Sequence, residues 1–141
     1  MNRQRLVVIV LAVTGMIATF LPWYRIAQAG TLSGISSFGW FTFIMFLIVV
    51  VLALCKNLRE PLGMGVAWSI GIVSFLASFI MLWRMTDVWF AREGIFSFGT
   101  AMESVPGSQI SMAYASWMIV AVGILIPCAV YLFRKHPWRR V

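Results

Sequence analysis

One stretch of this 141-residue chain gathers three of its four acids beside two arginines: Arg84, Asp87, Arg92, Glu93 and Glu103. Carboxylates beside guanidinium groups are the raw material of general acid–base hydrolysis at a membrane surface. The partners for such a mechanism are missing. The single histidine, His136, lies far along the chain between Lys135 and Pro137, and reads as a solvated tail residue. No serine or cysteine is paired with a histidine, so no activated nucleophile is legible. Cys55 and Cys128 show no metal-ligand spacing and read as small apolar residues buried in the fold. With no cysteine in the connecting segments, no disulfide framework is expected. The expectation is therefore a protein that is not an enzyme, with no catalytic residue, cofactor or metal.

The elements that would position these residues are apolar. The chain is 62% hydrophobic and 11% charged, against about 25% charged in soluble domains. Four apolar runs, at about 6–23, 40–55, 62–83 and 112–133, approach the roughly 17–25 residues of a membrane-crossing helix. None carries an ionisable residue at its middle, where proton relays and ion-coupled carriers keep theirs. Arg3, Arg5, Lys56, Arg59, Arg134, Lys135, Arg139 and Arg140 fall on one side of the runs against Glu60 alone. The other side holds Arg25, Arg84 and Arg92 against three acids, so the formal charge of +7 belongs to one face. The positive-inside rule makes that face cytoplasmic, with both termini inside. The basic tail serves topology and anionic headgroups, and nucleic acid is not an expected partner. The N-terminal segment has the charged start and small-x-small site of a signal peptide, but its apolar run from Leu6 to Leu21 exceeds the usual h-region of about 7–15 residues. It reads better as a retained span.

A short pattern occurs twice. Gly34-Ile35-Ser36-Ser37-Phe38-Gly39 is answered by Gly94-Ile95-Phe96-Ser97-Phe98-Gly99, at an offset of 60 that also aligns Trp23 with Trp83. The predicted fold is thus an all-α integral membrane protein, a four-transmembrane-helix bundle of two tandem hairpins related as a parallel pseudo-repeat. Residues 1–141 form a single membrane domain with halves 1–60 and 61–141 and outer loops 24–39 and 84–111. The glycines of the repeated motif are expected in tight turns with positive φ. The second copy is followed by an insertion of 17 residues, the place where function is first sought. Gly15, Gly63, Ala67, Gly71, Ser74 and Ser78 are candidate helix-packing positions, since small side chains let membrane helices approach. On this basis the first and third spans should form the centre of the bundle. Pro127 should kink the fourth.

Trp23, Tyr24, Trp40, Trp83, Trp89 and Trp117 read as an interfacial aromatic belt. The second outer loop is too apolar to float free and is expected to lie along the headgroup layer, with a short helix near 86–92. Its candidate interaction residues are Trp89, Phe90, Arg92, Glu93, Phe96, Phe98 and Glu103. In plan, four spans with a tryptophan ending the first, the chain is similar to claudin-like tetraspan proteins, but their first-loop Gly-Leu-Trp and paired cysteines have no counterpart here. In size it looks like small dimeric fluoride channels and multidrug exporters, without the first-span Glu of the latter. No family is assigned. The expected function is a small multi-pass protein of a bacterial-type inner (plasma) membrane, acting by binding or assembly through its outer loops as a partner subunit, scaffold or immunity-type factor. Its expected partners are the lipid bilayer and a protein partner or homo-oligomer. The alternative is an oligomeric passive channel or small transporter lined by Thr19, Ser69, Ser74 and Ser78.

Overall fold

The structure, a computed structural model, describes residues 2–27, 30–36, 39–55, 58–90, 95–96, 105–106 and 110–135. Four helices dominate: α1 Arg3–Ala18, α2 Gly39–Leu54, α3 Met64–Phe90 and α4 Tyr114–Lys135. Of these, α3 and α4 are long and apolar enough to cross a membrane. Their bounds follow from local chemistry. Asn2 caps α1, its side-chain oxygen accepting from the Gln4 N–H at 3.0 Å, and so satisfies one of the orphan donors of a helix start. Pro22 bars α1 from continuing, and Pro61 with Gly63 separates α2 from α3. Residues 86–90 carry no glycine or proline, so the short separate helix expected near 86–92 is instead the last turn of α3, continuous from Met64.

The fold is not all-α. Strands β1 Pro22–Ile26, β2 Gly30–Ser33 and β5 Ile110–Met112 form an antiparallel sheet in the order β2-β1-β5. A two-stranded ribbon pairs β3 Ile95–Phe96 with β4 Val105–Pro106. Part of the 17-residue insertion thus has a structural use, because β5 crosses to the first connection and pairs Tyr24 with Met112 and Ile26 with Ile110.

The helices form a closed ring in which α1 packs on α2 and α4, and α3 packs on α2 and α4. The expected central pairing of the first and third spans is therefore corrected: α1 and α3 stand across the ring from each other. Small residues still set the close crossings. Gly15 faces Phe46 of α2, whose ring atoms an added Cβ would meet at 2.8 Å. Ala67, Ser74 and Ser78 are buried, the two serines turned to α4, and Gly71 lies opposite Pro127. Gly63 precedes α3, and a Cβ there would meet nothing within 4 Å, so no close helix approach requires a glycine at that position.

The tightest crossing joins α3 to α4. Ser78 Oγ donates to the Val120 carbonyl at 2.8 Å, and a Cβ on Gly123 would collide with Ser78 and approach the Ser74 carbonyl oxygen to 2.6 Å. Gly123→Ala must push the helices apart and is expected to cost about 1–3 kcal/mol, the usual penalty of overpacking. Ser78→Ala loses only the interhelical bond, about 0.6 kcal/mol by analogy with other membrane helices. Thermal unfolding in detergent checks the order, and a Gly123→Ala protein as stable as the parent would refute the crossing.

Candidate interaction surface

The sheet closes one end of the ring, and Trp23 organises it. Along β1, Tyr24 and Ile26 point inward and Arg25 outward, the alternation expected of a sheet with one covered face. A bulge in the β1–β2 register falls between Pro22 and Tyr24, so Trp23 also turns inward and is 2% exposed. Its indole N–H donates to the Ala18 carbonyl at 3.0 Å, at the end of α1 where carbonyls lack helix partners. Its own carbonyl accepts from the Ala113 N–H at 2.8 Å and from Ser116 Oγ at 3.3 Å, tying β1 to the start of α4. Trp23 and Tyr24 thus belong to the core and not to an aromatic belt, because the sheet folds them under the bundle end. Trp83, the residue aligned with Trp23 in the doubled motif, sits within α3 and is 61% exposed.

The glycines of the first motif copy serve close approach, without positive φ, which among the described glycines occurs at Gly30. A Cβ on Gly34 would run into the Trp23 indole and lie 2.6 Å from the Thr19 carbonyl oxygen. A Cβ on Gly39 would collide with the Gly34 backbone. In the second copy the described residues are Ile95 and Phe96 of β3.

Of the predicted interaction residues, Trp89 and Phe90 lie on the last turn of α3 and are 63% and 83% exposed. Phe96 lies in β3, paired with Val105. Arg92, Glu93, Phe98 and Glu103 lie outside the described residues. Below Trp89 runs a mainly apolar groove of about 460 Å³ between α3, β5 and the start of α4, formed with Leu82, Met85, Met112 and Trp117. Met85 and Met112 were not legible as site residues, since their adjacency depends on β5 joining the sheet. Above the sheet Arg25 is exposed, flanked across the strands by Thr31 and Ser111.

The opposite end carries a feature that sequence reasoning missed. Arg5, read as a topological charge, is 2% exposed. It donates through Nε to the Glu60 carbonyl at 2.9 Å and through one terminal nitrogen to the carbonyls of Ala53 and Cys55 at 2.6 and 2.7 Å. Gln4 is buried beside it, donating to the Val130 carbonyl at 3.1 Å and accepting from the Leu62 N–H at 3.2 Å. Cys55 and Cys128 are exposed free thiols, which corrects the expectation that they are buried. Cys128 lies on the exposed face of α4, and Cys55 follows the end of α2.

The hydroxyls proposed as a channel lining are occupied by backbone carbonyls. Ser74 bonds Ile70, Ser78 bonds Val120, Thr19 bonds Met16 and Ser69 bonds Gly65. What the fold and this surface define is a mostly helical protein with two long apolar helices able to cross a membrane and a small sheet over one end. The chain matches no family model, no curated protein and no solved structure.

Proposed function

We propose that this is a multi-pass protein of a bacterial-type inner membrane, a bundle of four crossing helices with both termini cytoplasmic. In this reading it binds a partner at its sheet-bearing outer end and performs no catalysis. The membrane part is supported by apolar stripes turned outward on every helix. Leu6, Val10, Val13 and Ile17 follow one exposed face of α1, and Trp68, Ile72, Phe75 and Phe79 one face of α3. Stripes of this extent are untenable in water and ordinary in lipid. The 27 residues of α3 make a rod of about 40 Å, longer than the roughly 30 Å hydrocarbon core, so one end overruns the bilayer. The 16 residues of α1 and of α2 are shorter, about 24 Å, and the sheet roofs the end where they stop. The order helix, connection, return helix occurs twice, in keeping with two tandem hairpins, although the two tryptophans of the doubled motif have opposite environments.

The binding part rests on one observation: Trp89 and Phe90 stand exposed on the overrunning turn of α3, beside the groove formed with Trp117 and Met112. Exposed aromatic anchors beside a preformed apolar groove are the usual centre of a protein-binding surface. The test is site-specific photo-crosslinking in intact cells, with the probe at Phe90, Trp89 or, as a lipid-facing control, Phe79. A discrete protein adduct from the first two positions, absent from the third, is expected. Lipid adducts alone at all three would overturn the binding reading, whereas release of the protein from membranes by alkaline carbonate would overturn the membrane reading.

A further inference from the structure

A second groove lies on the lipid-facing side of the ring, between the first half of α3 and the last half of α4, and holds about 510 Å³. Its floor is Gly71 and Pro127, and its walls include Trp68, Phe75, Leu76 and Tyr131. The volume lies within the about 300–1,000 Å³ of ligand pockets, yet the lining is almost wholly apolar, so the groove itself can recognise only hydrocarbon. We propose that it holds an acyl chain of an anionic phospholipid of the cytoplasmic leaflet, with the headgroup at the basic end of α4. The inference rests on the membrane reading above.

Length, charge and shape select this occupant. From Ala67 to Leu76 the groove follows α3 for about 14 Å at 1.5 Å per residue, half the roughly 30 Å hydrocarbon thickness and hence one leaflet. Trp68 and Tyr131, whose rings have polar tips, mark its mouth and suit the interfacial layer. On α4, Pro127, Val130 and Tyr131 line the groove, and the helix ends one turn further on in the sequence Arg134-Lys135. Basic residues next to the cytoplasmic end of a spanning helix attract anionic headgroups by about 1 kcal/mol each. A second helix is a poorer fit. Close helix pairing needs small residues at the contact; Ser74 and Ser78 are already turned to α4, which leaves Ala67 and Gly71 as the small residues on the α3 side of the groove. The surface left outside carries Trp68, Ile72 and Phe75, all exposed and bulky.

Native mass spectrometry of the purified full chain, supplied with phosphatidylglycerol or phosphatidylcholine in detergent, tests the proposal. One phosphatidylglycerol per chain should be retained in preference to phosphatidylcholine. Gly71→Leu should fill the floor and reduce retention by about tenfold, the loss expected when a side chain blocks an apolar pocket. Gly71→Ala is the folding control, since its Cβ would meet Pro127 at an ordinary 3.8 Å. Replacing Arg134 and Lys135 by Gln should lower the lipid preference by about fivefold per charge. Equal retention of both lipids, or no response to Gly71→Leu in a protein that folds, overturns the proposal. So does a Gly71→Leu protein that passes from dimer to monomer, which would make the groove a seam between copies. Loss of the chain from carbonate-washed membranes would instead remove the membrane reading on which the proposal stands.

Discussion

Trp23→Ala is expected to destabilise the protein by about 3–5 kcal/mol, the range for deleting a fully buried aromatic side chain, while Trp83→Ala changes stability by no more than about 0.5 kcal/mol. The two residues are aligned in the doubled sequence pattern, so the contrast isolates environment from residue type. Trp23 fills the space over Gly34, bonds the end of α1 through its indole, and holds the start of α4 through its carbonyl. Its loss leaves a cavity and an unpartnered Ala18 carbonyl at the meeting point of three elements. Trp83 is 61% exposed and carries no such bonds to other elements among the described interactions. Trp23→Phe should fall between, keeping most of the ring while giving up the hydrogen bond, at about 1–3 kcal/mol. Gly34→Ala should reproduce much of the damage from the other side, since its methyl group would enter the indole. Unfolding in detergent, followed by near-ultraviolet circular dichroism, measures all four. Equal and small effects at Trp23 and Trp83 would remove the keystone role.

The same pair shows where the sequence is legible and where it stops. Each of the four apolar runs contains a helix, because composition and length act locally and need no partner, but α3 continues to Phe90, seven residues past the expected end at 83. The first run was overestimated at its end: 6–23 stops as helix at Ala18, since Pro22 blocks continuation and the chain turns into β1. The sheet was missed for a physical reason. Its alternation covers only Tyr24, Arg25 and Ile26 before the bulge at Trp23 disrupts it, and three residues do not make a period. The strand that completes it, Ile110–Met112, comes from the far end of the second connection. Nothing in 22–26 announces that partner. The doubled motif was real as a string, yet its copies meet different neighbours, and neighbours decide whether a tryptophan is a core residue or a surface one.

The candidate site divides in the same way. Trp89 and Phe90, singled out in the sequence as two large aromatics beside charged residues, are both exposed on the last turn of α3. The groove next to them was not legible, because Met85, Met112 and Trp117 come from three elements brought together by the sheet. Of the small residues spaced along α3, Ala67, Ser74 and Ser78 are buried. The spacing alone could not say which helix would cover them, and for Ser74 and Ser78 the answer is α4.

Arg5→Ala should cost on the order of 3 kcal/mol, and Arg5→Lys should recover only part of it, which separates a structural arginine from a topological charge. The helix α2 has no basic residue in its own last turn, and its final carbonyls carry the negative end of the helix dipole. Arg5 brings a cation from α1 to the Ala53 and Cys55 carbonyls and reaches the Glu60 carbonyl in the next connection. Hydrogen bonds from a charged donor contribute about 1.5–3 kcal/mol each, and the three are not additive because water at the bundle end can replace some of them. Lysine keeps the charge but presents a single ammonium, which cannot reproduce the planar fork that spans two directions. Arg3, exposed on the first turn of α1, supplies the control: Arg3→Ala should change stability by no more than about 0.5 kcal/mol. If Arg5 acted only through the positive-inside rule, Arg5→Lys would match the parent in both stability and orientation. The expected result is unchanged orientation, read by reporter fusions at the C-terminus, with a lowered unfolding temperature in detergent. An Arg5→Lys protein with the parent's unfolding temperature would show that the three carbonyls do not depend on the guanidinium.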